Sequence, residues 1–135
     1  MPRIIIGAIC TAALLVPATS ASAFTVHLKA PGHHPKAGKP WKITVSAKRK
    51  NGRKVHAAAL YKFLFNGSVV GTSYPSPNNP CSDRSRQRPY RFFGSYTDRL
   101  CFPSRSVGIP LTLRVVVRAG PLGTKHVDYD IKVED

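Results

Sequence analysis

Apolar and polar residues alternate with a period of two along most of the chain, the rhythm of strands buried on one face. Phe24-Thr-Val26-His-Leu28-Lys-Ala30 shows it first, and Trp41-Lys-Ile43-Thr-Val45-Ser-Ala47-Lys48 repeats it with Trp41, Ile43, Val45 and Ala47 on one side. Leu111-Thr-Leu113-Arg-Val115-Val-Val117-Arg118 is the clearest strand. A last one carries Val127, Tyr129, Ile131 and Val133 inward and His126, Asp128, Asp130 and Lys132 outward. For these two apolar faces to meet, odd residues must oppose odd ones. That sets Arg114 against Asp128 or Asp130 as an exposed cross-strand ion pair, and explains those acids without catalysis.

Between these strands the pattern is less uniform. Residues 57–65, Ala-Ala-Ala-Leu-Tyr-Lys-Phe-Leu-Phe, fit a short helix capped by glycine or a strand with Tyr61, Phe63 and Phe65 on one face. Aromatics at spacing two and the Asn66-Gly67 hairpin signal, followed by Ser68-Val69-Val70-Gly71-Thr72, select the strand. Residues 31–40 and 74–88 are rich in proline and turn formers, with Pro89 following, and residues 90–102 resume an aromatic, strand-like character. Seven short strands joined by turns, with no convincing helix, predict a single all-β domain, an antiparallel β-sandwich.

The start of the chain has a different character. Arg3 precedes an apolar run from Ile4 to Val16, then Pro17 and a small polar stretch ending Ala21-Ser22-Ala23. This is the layout of a cleaved signal peptide over residues 1–23, the run being too short for a spanning helix of about 20 residues. The expectation is a secreted chain, Phe24 to Asp135, loosely associated with the cell wall at most and without a transmembrane segment. Loss of Arg3 would leave 20 Lys and Arg against 6 Asp and Glu, a formal +14. Such a charge keeps a protein soluble and monomeric and draws it to polyanions: wall polymers, phospholipid head groups or extracellular nucleic acid. The other reading of that charge is a generally solvated surface.

Cys10 leaves with the signal. Cys81 and Cys101 then form an even pair in an oxidising compartment, which predicts one disulfide worth about 3 kcal/mol on the chain-entropy view.

Ala37-Gly38-Lys39-Pro40-Trp41-Lys42-Ile43-Thr44-Val45 resembles the approach to an early strand of bacterial Ig-like domains. Val107-Gly108-Ile109-Pro110-Leu111-Thr112-Leu113-Arg114-Val115 resembles the approach to a late one. The whole chain is similar to small secreted Ig-like β-sandwich proteins of high-GC Gram-positive bacteria. That resemblance implies a fold and is nearly silent on function. It departs from antibody-type domains, whose disulfide joins the sheets beside a buried Trp. Here the Cys81–Cys101 bridge would staple a loop.

The richest candidate for binding is the run Arg84-Ser-Arg86-Gln-Arg88-Pro-Tyr90-Arg91-Phe92-Phe93. Arginine forks match phosphate and carboxylate oxygens, and aromatic faces stack on bases or sugars. Arg84, Arg86, Arg88 and Arg91 are the expected anionic-polymer contacts. The competing reading is a solvated loop whose aromatics turn into the core. The run matches no RNA-recognition consensus, so specific nucleic-acid binding is not expected. Lys48-Arg49-Lys50 with Arg53 and Lys54 reads as a charged turn.

His27, His33, His34 and His56 suggest a copper carrier as the rival, but His27 falls fourth after the cleavage point, where an amino-terminal copper motif needs the third position. No metal site and no cofactor are expected. Gly-x-Ser-x-Gly, P-loop, His-Glu-x-x-His and dinucleotide patterns are absent, and four of the six acids cluster after residue 127. The reading is non-enzymatic. A secreted inhibitor presenting residues 75–88 is a further alternative.

Overall fold

The computed structural model describes residues 23–79, 81 and 87–135. The apolar run, and so the signal-peptide expectation, lies outside them. Eight strands follow in order: β1 (Phe24–Lys29), β2 (Trp41–Arg49), β3 (His56–Phe65), β4 (Ser68–Ser73), β5 (Tyr90–Phe93), β6 (Ser95–Leu100), β7 (Pro110–Arg118) and β8 (Thr124–Lys132). They form two antiparallel sheets, β1-β2-β6 and β4-β3-β7-β8, with β5 also paired to β3. The molecule is an all-β sandwich. Residues 57–65 are a strand, not a helix.

The alternation in sequence becomes the interior. Ile43, Val45 and Ala47 of β2 meet Ala59 and Tyr61 of β3 and Leu113, Val115 and Val117 of β7, all with no measurable exposure. Each large aliphatic group removed from water contributes roughly 1.5–3 kcal/mol. Odd residues of β7 oppose odd residues of β8, with Leu113 facing Tyr129 and Val115 facing Val127.

An eighth strand arises because residues 90–102 divide. β5 belongs to one sheet and β6 to the other, with Gly94 alone between them. Gly94 has φ +77°, and a Cβ there would fall 2.8 Å from the Lys54 side chain. Its N–H donates to the Val55 carbonyl at 3.0 Å, and its carbonyl accepts from the Ala47 N–H at 2.8 Å, so the corner is bonded towards both layers. Only glycine takes that conformation without strain.

The Asn66-Gly67 turn forms as expected. Both residues have positive φ, +49° and +79°, the conformation of a tight two-residue hairpin. A bulge between Phe63 and Leu64 shifts the β3–β4 register. Tyr61 and Phe63 face inward, but Phe65, expected on the same face, stands 38% exposed at the hairpin end.

β4 and β5 are two halves of one edge. Ser73 lies opposite Tyr61 and Tyr90 opposite Ala59, so residues 74–89 leave and rejoin a single line alongside β3. At the far edge, residues 33–37 run beside the end of β8. Lys132 N–H donates to His33 O at 2.8 Å and Glu134 N–H to Pro35 O at 2.9 Å.

Candidate cationic site on the five-stranded sheet

The pleat decides which members of the basic-aromatic run reach solvent. Tyr90 and Phe92 turn inward onto Tyr96, with ring centroids 5.2 and 4.8 Å away. Arg91 and Phe93, one residue out of phase, point to the outer face, where Phe93 is 52% exposed. The reading in which the aromatics turn into the core therefore holds for two of the three.

Register then supplies a partner that the linear sequence hides. Arg91 stands opposite Ala58, and Ala58 stands opposite Arg118 of β7. Strands lie 4.7–4.9 Å apart, so two arginines flank a methyl group across about 10 Å. The small Ala58 side chain leaves a trough lined by His56, Ala58, Arg91, Phe93, Arg118 and Gly120. His56 stacks on Phe93 at 4.3 Å, and the Lys54 ammonium lies 5.9 Å from that ring. Among the described residues neither Arg91 nor Arg118 makes an ion pair. Chemically, the arrangement offers two guanidinium forks and an aromatic step to an extended anion.

The described residues of the excursion that follows β4 are anchored twice, at Cys81 and at Ser76. Cys81 and Cys101 form the expected disulfide, with Cα atoms 5.0 Å apart. It ties the excursion to the end of β6, in the opposite sheet, and so staples a loop. Trp41 packs edge-on against Phe102 at 5.9 Å. The second anchor is Asp98. This carboxylate points between the sheets and is only 1% exposed. It accepts hydrogen bonds from the Tyr61 hydroxyl and the Arg99 N–H, both at 2.8 Å, and from the Ser76 N–H at a longer 3.4 Å. Pro75, beside Ser76, is also fully buried.

Tyr96 completes the network by donating to the Tyr61 hydroxyl at 3.1 Å. Burial pushes the Tyr61 phenol well above its usual range, and the neighbouring Tyr96 and Asp98 push it the same way. Burial also raises Tyr96. Both phenols stay protonated, Tyr61 as donor to the Asp98 carboxylate and Tyr96 as donor to the Tyr61 hydroxyl.

Of the four expected contacts, Arg91 lines the trough and Arg88 is exposed just before β5, whereas Arg84 and Arg86 lie outside the described residues. Arg118 and His56 were not expected there. Only the β5-β3-β7 register reveals them, and no local signal encodes it. Asp98 did carry a signal. Even residues from Tyr90 to Phe102 face inward without a break, and Asp98 is the one charged member of that row.

The remaining candidates are dispersed. His27 is on β1 and His56 on β3. His33 and His34 point their Nδ1 atoms at the Asp130 and Lys132 carbonyls, 2.6 and 3.2 Å away. Among the described residues no group of three or more His, Cys, Asp or Glu could hold a metal ion. Arg114 grips Asp128 in a two-pronged pair, Nε to Oδ1 at 2.8 Å and Nη2 to Oδ2 at 2.9 Å. Asp130 accepts instead from Thr112 at 3.1 Å. The pairing expected from parity is present, with Asp128 as the partner. Among the described residues no helix is long and apolar enough to cross a membrane.

No protein-family model matches the chain, and no curated protein matches it in sequence. Solved structures similar to it include a superoxide reductase (neelaredoxin) from Ignicoccus hospitalis, 17% identical over 82% of this chain and 80% of that one, with a TM-score of 0.47. A Thermotoga maritima protein assigned provisionally as a superoxide reductase is 14% identical over 82% of this chain and 86% of that one, at 0.51. A DUF4466 family protein from Parabacteroides merdae is 16% identical over 82% of this chain and 43% of that one, at 0.49. At identities this low the likeness is one of fold alone.

Proposed function

We propose that the protein is an exported, non-enzymatic binding module of the Ig-like kind, which holds anionic polymers at the cell envelope through the trough over Ala58. The observation that carries this reading is the placement of Arg91 and Arg118 on either side of Ala58, exposed and without an acidic partner among the described residues. The excess of cations, 21 Lys and Arg against 6 Asp and Glu, supports it by raising the local concentration of any polyanion. Arg88 is exposed just before β5, and Arg84 and Arg86 are its neighbours in sequence. The Cys81–Cys101 disulfide fits an oxidising, extracytoplasmic location.

Polyphosphate titration at two ionic strengths tests it. Affinity is expected to drop steeply between about 50 and about 200 mM salt, as contacts that displace counterions do. Replacing Arg91 and Arg118 by Ser should weaken binding at least about tenfold and flatten the salt dependence. Salt-insensitive binding, or a double variant that binds as the parent does, would sink the reading.

A further inference from the structure

Apart from Phe93, every large apolar side chain that stands exposed among the described residues surrounds one place, the tip of the β3–β4 hairpin: Phe65, Val69, Val70 and Ile109. Val70 and Phe65 line a hollow that Ile109, Pro110 and Leu111 continue. Val69 stands elsewhere on the hairpin, paired with Leu64, whose other neighbour is Thr112 on the outer face. The tip therefore carries an exposed apolar group on each of its sides. Arg105 lines the hollow and no acidic residue does; beside the turn, Lys132 stands opposite Pro110, next to an Asp130 that accepts from Thr112. Clustered exposed apolar groups of this kind mark a docking surface.

Three occupants can be compared. A second copy of the chain would bring another +15 of charge against the same basic collar. A peptide adding a strand to β4 would meet the bulge, which breaks the regular edge that strand addition needs. A flat protein surface covers one side of a hairpin tip, whereas fluid hydrocarbon covers both. We propose that this tip docks into an anionic lipid bilayer, with Phe65, Val69, Val70 and Ile109 entering the acyl boundary and Arg105 and Lys132 meeting the head groups. Phe65 lies seven positions along β3 from Ala58, about 23 Å of strand, so the tip and the polymer trough are separate sites. The proposal stands independently of the trough.

Vesicle flotation of the chain purified from its expressing culture, with its mass fixing where it begins, provides the test. Parent protein is expected to float with phosphatidylglycerol–phosphatidylcholine vesicles. Val70→Asp combined with Ile109→Asp should bind at least about tenfold more weakly, because both side chains would otherwise leave water. That variant should keep its polyphosphate affinity, and the Arg91→Ser/Arg118→Ser variant should keep vesicle binding. A local readout excludes binding through another part of the chain. Val70→Trp should shift its emission to the blue on vesicles and be quenched by brominated lipid. Unchanged flotation of the double aspartate variant overturns the proposal, as does a Val70→Trp emission that ignores the lipid. A parent dimer that the aspartates split would assign the tip to a second copy and overturn it as well.

Discussion

Asp98 and Asp128 sit on strands of opposite sheets, each held by hydrogen bonds to neighbours, and they do different work. Asp98 is walled in between the layers, 1% exposed, and takes one phenol donor and two backbone donors. Asp128 lies on the outer face, its side chain 39% exposed, and takes both prongs of Arg114. The second pair is the more handsome geometry and the weaker determinant of stability, because water offers each partner a nearly equal alternative. What a buried polar group is worth depends on what it would face if its partner vanished.

Removing the Asp98 carboxylate tests this most severely. Asp98→Ala leaves the Tyr61 hydroxyl and the Ser76 N–H without their acceptor in a buried position, and should cost about 3 kcal/mol in urea unfolding. Asp98→Asn keeps the shape and one acceptor, and should cost clearly less. The excursion should loosen at the same time, since Ser76 is one of its two anchors. Faster proteolysis within residues 74–89 of Asp98→Ala, relative to the parent, would register that loss. Equal stability of Asp98→Ala and the parent would show that the network is ornamental.

The same two residues show how far the sequence could be read. Parity alone placed Arg114 against Asp128 or Asp130, because β7 and β8 are long, uninterrupted and consecutive in the chain, and the observed register selects Asp128. The interior of the sandwich followed from the same rule. Asp98 escaped because residues 90–102 read as one strand, and the glycine corner that divides them was not separated from the run. Even-numbered inward positions do continue across Gly94, so a stricter count would have drawn attention to a carboxylate in an apolar row. The trough is a different case. Arg91 and Arg118 are 27 positions apart and meet only through Ala58. Which strand lies beside which is set by packing of the whole chain, and nothing near either arginine reports it. Phe65 misled for a local reason: the hairpin end carries it beyond the cover of the other sheet.

A smaller effect separates the network from its solvent-exposed counterpart by pH. Tyr61 and Tyr96 have folded-state values raised above the usual 10.0, chiefly by burial. A group raised in this way contributes stability that is complete below its unfolded value and is lost as pH climbs above it. The parent should therefore hold constant stability through neutrality and weaken above about pH 10. Tyr61→Phe removes one donor to Asp98, and should lower stability at neutral pH by roughly 1–2 kcal/mol while making the alkaline decline shallower. Urea midpoints measured from about pH 8 to about pH 11 give both numbers. An alkaline slope identical in parent and variant would mean that Tyr61 does not carry it.

The least effect belongs to the outer face. The Arg114 guanidinium beside Asp128 holds that carboxyl below its usual 3.8, against an opposing push from partial burial. A lowered value means stability that is present above the unfolded value and disappears as pH falls through the folded one. Parent and Asp128→Asn should thus differ slightly and constantly at neutral pH, and converge only below about pH 4. Because water screens the pair, the difference in melting temperature should stay within about 2 °C. Added salt should shrink it further, whereas the deficit of Asp98→Ala should hardly respond, since no counterion reaches between the sheets. A melting temperature in Asp128→Asn as low as that of Asp98→Ala would reverse the ranking, and would mean that the exposed pair fixes the β7–β8 register instead of decorating it.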